Sequence, residues 1–219
     1  MQQTSPIQGP PAPCVIKQDG DTHVRSVVLR HIMGQVGMNR GRGRGMELAM
    51  RNSPIVEGAK LVTADGYAEA TLEDLTHVRL TPDTVVEFEQ LALHMTGERA
   101  SVIALNLGTI YVDTPNVKGS KLRIQVGAAC ISLDRGTHLR MEITRQRIEL
   151  AMFYGNASVE APAGHVVALT RNESLSFSVP PGEMTKIVPG IEERPYDEWE
   201  AKAVKRYQPF LRLPPSVWP

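Results

Sequence analysis

The sequence predicts an all-β fold: about a dozen short antiparallel strands in a solenoid-like sandwich or jelly-roll arrangement, plus one short C-terminal helix. Three observations predict it. Apolar and polar residues alternate with period two along most of the chain. Side chains of a strand point alternately to its two faces, so this pattern buries one face and wets the other, as antiparallel sheets do. Turn signals interrupt the alternation at intervals of about 8–12 residues. Finally, a strand pattern running from Gly108 to Pro115 returns from Gly155 to Pro162.

The elements follow in order. Residues 1–21 form a proline-rich arm, where Pro6, Pro10, Pro11 and Pro13 favour an extended course. Residues 22–190 form one all-β domain. Its alternating runs begin at Met46, Leu48 and Met50, continue at Ala68, Ala70 and Leu72, and then at Ile103, Leu105 and Leu107. Further runs are Leu122 to Val126, Leu139 to Ile143, Ile148 to Tyr154 and Leu175 to Val179. The opposite faces, such as Arg140, Glu142 and Thr144, are read as wet. Asp65-Gly66, Pro82-Asp83, Thr96-Gly97, Arg135-Gly136 and Gly155-Asn156 mark turns. The alternation slips phase between Leu107 and Ile110, around Gly108, and again between Val126 and Ile131. Such slips suggest bulges or corners where a strand leaves one sheet for another.

The two repeat units read glycine, any residue, aliphatic or small, any residue, Val, acid, small, Pro. A weaker echo stands at Gly34 to Asn39. Stacked units that cannot bury a face alone suit a solenoid-like architecture. Residues 191–219 hold the helix and a proline-rich tail. The helix, Asp197 to Arg206, has acids in its first turn and bases in its last, with Trp199 as its packing anchor.

Composition bounds the function. Lys plus Arg total 24 and Asp plus Glu total 24, so the net charge is zero. That excludes the basic field of a general nucleic-acid binder. Aromatic residues are only 5%, so the core is aliphatic and few rings remain to stack on sugars. This places protein partners ahead of glycans. No run reaches the roughly 20 apolar residues of a membrane-spanning helix. The proline-rich start suggests either a mature secreted chain whose signal peptide has been removed or an ordinary cytosolic protein with a floppy start. Cys14 and Cys130 are too few for a disulfide scaffold. They form either one disulfide pinning the arm to the core, in an oxidising compartment, or two separate thiols.

Chemistry-bearing patterns are sparse. There is no Gly-x-Ser-x-Gly, His-Glu-x-x-His, P-loop or Cys-x-x-Cys pattern, and the six histidines show no ligand spacing. No cofactor or metal is expected. Glu87 and Glu89 share one strand face at about 7 Å, near glycosidase spacing, but the face reads as solvated. The most unusual segment is Asn39-Arg-Gly-Arg-Gly-Arg-Gly45. Arg40, Arg42 and Arg44 can fork onto phosphate or carboxylate, or simply keep a hairpin tip soluble.

The run from Pro54 to Val179 resembles the FecR-like domain family of bacterial envelope proteins. The resemblance rests on Gly58-Ala-Lys-Leu61-Val-Thr63, Asp65-Gly66-Tyr-Ala68 and Val78-Arg-Leu80-Thr-Pro82-Asp83-Thr84, and on the two glycine-to-proline units. It implies an all-β, partly solenoid-like fold in the periplasm or outside the cell. The family's best-known members relay an outer-membrane signal to a sigma factor. The sequence lacks their cytoplasmic anti-sigma segment and transmembrane helix, which puts sigma regulation itself in doubt. The expectation is a non-catalytic binding or sensing module that engages an envelope protein or a cell-surface polysaccharide. The alternatives are a structural scaffold in the envelope and, below both, a carbohydrate-active hydrolase. Tyr67, Tyr111 and Tyr154 are the candidates for a sugar-stacking platform, or else ordinary packing residues.

Overall fold

The computed structural model describes residues 14–16, 22–41, 43–145, 147–160, 165–178 and 187–211. Of 22–24, 26, 204 and 206–211 it describes the backbone alone. The chain is laid alternately into two sheets. It starts in sheet A with β1 (Thr22–Val24), crosses to sheet B for β2 (Ser26–Met33), and returns to A for β3 (Val36–Asn39) and β4 (Glu47–Leu48). β5 (Pro54–Val56) is in B, β6 (Lys60–Thr63) in A, and the hairpin β7 (Tyr67–Thr71) and β8 (His77–Leu80) in B. β9 (Val85–His94) and the first part of β10 (Arg99–Asp113) pair in A. Hairpins then alternate. β11 (Ser120–Val126) and β12 (Ala129–Leu133) join A, and β13 (His138–Ile143) and β14 (Arg147–Tyr154) join B. β15 (Ala157–Glu160) and β16 (Val166–Leu169) lie in A, β17 (Glu173–Ser178) and β18 (Val188–Pro189) in B. Helix α1 (Asp197–Leu211) closes the described chain.

β10 is the hinge between the layers. Up to Leu107 it pairs with β9 in sheet A; from Gly108 it pairs with β13 in sheet B, and from Ile110 also with β8. Gly108 makes the corner possible. Its φ is +86°, and a Cβ there would sit 2.5 Å from the Asp83 carbonyl oxygen and 2.6 Å from Thr84 Cα. Gly155 repeats the device at φ +83°, with a Cβ facing Thr137 Cα at 2.6 Å and the Gly136 carbonyl at 2.7 Å.

Threonines complete both corners. Thr84 N donates to Thr63 Oγ1 at 2.9 Å, and Thr63 Oγ1 donates to the Thr81 carbonyl at 2.6 Å. In the next unit Thr137 N donates to Thr114 Oγ1 at 2.9 Å, and Thr114 Oγ1 donates to the Asp134 carbonyl at 3.0 Å. The glycine-to-proline repeat is therefore a repeated sandwich corner. Its hydroxyls satisfy backbone groups that the turning strands leave without ladder partners.

Between the sheets lies one aliphatic core. Leu61, Leu80, Phe88, Ile103, Leu105, Ile124, Ile131, Met141 and Leu150 are all buried there. The fold class is all-β with one helix, but four expectations need correction. The described residues contain eighteen strands, because short strands of two or three residues, β1, β4, β5 and β18, add to the longer alternating runs. One pairing is parallel: β11 runs alongside β10, Ser120 opposite Arg99. The bend at Gly108 folds β10 back across the sandwich, so the chain re-enters sheet A near the start of β10 and repeats its direction. The slip at Val126 is a hairpin turn through Gly127 and Ala128, not a corner. Finally, Met46, Leu48 and Met50 do not face the core. Ala49 does, because β4 is only two residues long and its neighbours leave the sheet.

The helix spans Asp197–Leu211 and so outruns the expected stretch, whose last-turn bases fall mid-helix. Val179 lies outside the described residues.

Candidate functional site

The outer face of sheet B is a layer of charged side chains under α1. β8 presents Arg79, β7 presents Glu69, and β13 presents His138 and Arg140. Arg79 Nε donates to Glu69 at 2.7 Å and its Nη1 donates to Glu200 at 2.6 Å. His138 Nε2 lies 3.1 Å from the same Glu200 oxygen. Arg140 Nη1 donates to Asp197 at 2.5 Å, and the Tyr111 hydroxyl donates to the other Asp197 oxygen at 2.6 Å. Just before the helix, Arg194 Nη2 reaches Glu149 at 3.0 Å. Tyr67 packs on Trp199 and Tyr196, with ring centroids 4.8 and 5.8 Å apart.

The alternation that marks Arg140 as wet is right about the face and wrong about the solvent. Arg140 is 1% exposed and Arg79 is 0%, because α1 covers them and supplies the acids that compensate their charge. Burial opposes the charge of Arg79, yet Glu200 and Glu69 hold its pKa above the usual value. Burial raises the Tyr111 pKa, as does its bond to Asp197; burial and Asp113 raise that of Tyr154. Both hydroxyls stay protonated donors. The acids here face arginines rather than one another, so this layer fastens a helix; it is not a carboxylate pair sharing a proton. Sequence reading missed it. The signal was an arginine inside each of two apolar strands, Val78-Arg-Leu80 and Leu139-Arg-Met141, together with acids opening the helix.

The sequence-derived candidates scatter. Arg40 is tied to the Glu47 carboxylate and to the Pro54 carbonyl, which anchors the hairpin base. Arg44 is exposed, and Arg42 lies outside the described residues. Cys14 and Cys130 form a disulfide with Cα atoms 5.4 Å apart. It fastens residues 14–16 to the outer face of sheet A over Ala92, Ala100 and Val102. Gln90 strengthens the strap by accepting from Ile16 N at 3.0 Å and donating to Ile16 O at 3.1 Å. Glu87 is paired with Lys60 at 3.0 Å; partial burial and Glu87 raise the Glu89 pKa. Tyr111 is buried and Tyr154 donates to Asp113, so the three tyrosines form no common platform. Among the described residues no group of three His, Cys, Asp or Glu could hold a metal ion.

Among the described residues, two open surfaces on sheet A stand apart from these contacts. One is the edge of sheet A at β4, where Met46, Leu48 and Met50 stand exposed, Leu48 at 75%. The other is a concave groove of about 590 Å³ at the far side of the same sheet, between Lys118, Lys121, Arg123 and Arg135.

Residues 59–158 match the FecR protein family. The matched region runs from the residue before β6 into β15, so it contains both corners and the whole groove. Edge strand β4 and helix α1 lie outside it. Two crystal structures of a candidate anti-sigma factor from Parabacteroides distasonis are also similar. They show 18% and 17% identity and TM-scores of 0.49 and 0.48, each covering 59% of this chain. The chain spans 58% of the length of those proteins. No curated protein matches the sequence. Among the described residues, no helix is long and apolar enough to cross a membrane.

Proposed function

We propose that this protein is a non-catalytic, FecR-like sensing or binding module on the periplasmic or extracellular side of a bacterial envelope, and that it engages a protein partner through the β4 edge. The observation that carries this is the edge itself. β4 pairs with β3 on one side, and among the described residues no strand pairs with its other side. Met46, Leu48 and Met50 stand exposed along this strand. Native proteins normally blunt such an edge, and methionines give a surface that adapts to a partner. An extended protein segment added to β4 would satisfy the free backbone groups and cover the apolar side chains. The disulfide supports an oxidising compartment. The FecR match supports a regulatory role.

A photo-reactive residue at position 48, introduced into cells that make the protein, tests this. The expected result is a discrete adduct with one other protein, abolished by Met46→Lys with Met50→Lys. An adduct only to a second copy would replace this reading with envelope scaffolding. No protein adduct at all would overturn it.

A further inference from the structure

We infer that the groove beside β11 binds an anionic glycan, a short sugar chain carrying carboxylate or phosphate groups. It lies on the opposite side of sheet A from β4, with β3, β6, β9 and β10 between, and does not depend on the protein-docking edge.

Charge is the first argument. The groove is lined by four cations, Lys118, Lys121, Arg123 and Arg135, and by two acids, Glu98 and Asp134. Glu98 is taken by Lys121 at 2.9 Å. Arg123 donates to the Val15 carbonyl at 3.1 Å, so the strapped arm fixes its direction. Four cations against two acids leave a surplus of two in a chain whose net charge is zero. The sequence placed its anion-binding expectation on Arg40, Arg42 and Arg44. Arg40 is held by Glu47, whereas the groove gathers its cations from the loop after β10, from β11 and from the turn after β12.

An unfilled hydrogen bond is the second argument. The Ser120 hydroxyl lies in this wall, buried and with no hydrogen-bond partner. A desolvated hydroxyl left unpaired destabilises the free protein, and a ligand that bonds it recovers that cost. The third argument is the rest of the lining. Asn116 and Asn156 offer amide donors and acceptors, and no aromatic ring takes part. A peptide helix would need a row of exposed apolar footholds, whereas the leucines of this wall are buried (Leu122) or half-buried (Leu133). Hydroxyls and acid groups on one small scaffold match amides, a serine and forked cations together. The volume, about 590 Å³, falls within the 300–1,000 Å³ or so typical of small-ligand sites.

Isothermal titration of the intact, oxidised protein tests the inference, using a tetra-uronate, a neutral tetraglucoside of equal length and inorganic phosphate. The tetra-uronate should bind, and binding should weaken as salt rises, because exposed charges are screened. Lys118→Ala with Arg135→Ala should weaken it at least about tenfold without moving the thermal midpoint, since both side chains sit on the surface. Ser120→Ala should lower affinity while leaving the free protein at least as stable. Arg44→Ala should change nothing. Equal binding of the neutral sugar would remove the anionic component. Phosphate binding as tight as the tetra-uronate would remove the sugar. No binding, or full binding by the double variant, would overturn the site altogether.

Discussion

At the scale of single residues, the fold depends on two glycines doing the same job. Gly108 and Gly155 stand at positive φ against the turn that precedes them, and each faces backbone atoms at 2.5–2.7 Å from where a Cβ would be. Backbone cannot swing aside as a long side chain can. Gly108→Ala and Gly155→Ala should therefore each cost about 1–3 kcal/mol, measured as a fall in the denaturation midpoint. Gly43→Ala, also at positive φ but with nothing within 4 Å, should carry only the conformational part of that loss. The corner was legible in the sequence because glycine leaves a mark there: the phase slip between Leu107 and Ile110, and the match between the two units. The threonine pairs that brace it were not. Thr63, Thr84, Thr114 and Thr137 bond to backbone far along the chain, and nothing in local spacing announces a partner 20 or so residues away.

At the scale of elements, α1 decides what the outer face of sheet B is. Alternation identifies two faces for each strand but not what lies over them, so Arg140 reads as wet until the helix is placed. Trp199 was legible as an anchor; that Asp197 and Glu200 reach two buried guanidinium groups was not. Removing one partner from a buried pair leaves an uncompensated charge, worth about 3–5 kcal/mol if the structure cannot relax. Here it can relax by releasing the helix. Glu200→Ala should therefore open α1 locally. Its amides should exchange rapidly and a protease should cut between residues 191 and 196, while the sheet A core stays protected. Replacing the whole buried cluster, Arg79→Met with Glu69→Gln and Glu200→Leu, should recover much of the helix protection, because the three charges that compensate one another are then removed together. Equal protection in Glu200→Ala and the unaltered protein would mean that packing of Trp199 and Ala203 alone holds the helix.

At the scale of the whole molecule, both exposed faces of the sandwich are strapped from the ends of the chain: sheet B by α1, sheet A by residues 14–16. Sequence alone left the second strap open, since two cysteines without local spacing are also consistent with separate thiols. Three-dimensional proximity decides it, with Cα atoms 5.4 Å apart across 116 positions of sequence. A crosslink over so long a segment restricts the unfolded chain strongly, by about 4–5 kcal/mol in the chain-entropy account. It also holds Cys14 and Ile16 against Ala92, Ala100 and Val102, a small apolar cluster that the main core does not include. Reductant, or Cys14→Ala with Cys130→Ala, should thus lower stability by about 4–5 kcal/mol, read as a lower urea midpoint. It should also free the arm to proteolysis and loosen Arg123, whose position beside the groove depends on the Val15 carbonyl. Anionic-sugar affinity should then fall together with arm protection, though Arg123 itself is unaltered. If reduction leaves both the midpoint and the arm unchanged, the strap contributes nothing to the fold, and the case for an oxidising compartment loses its structural support.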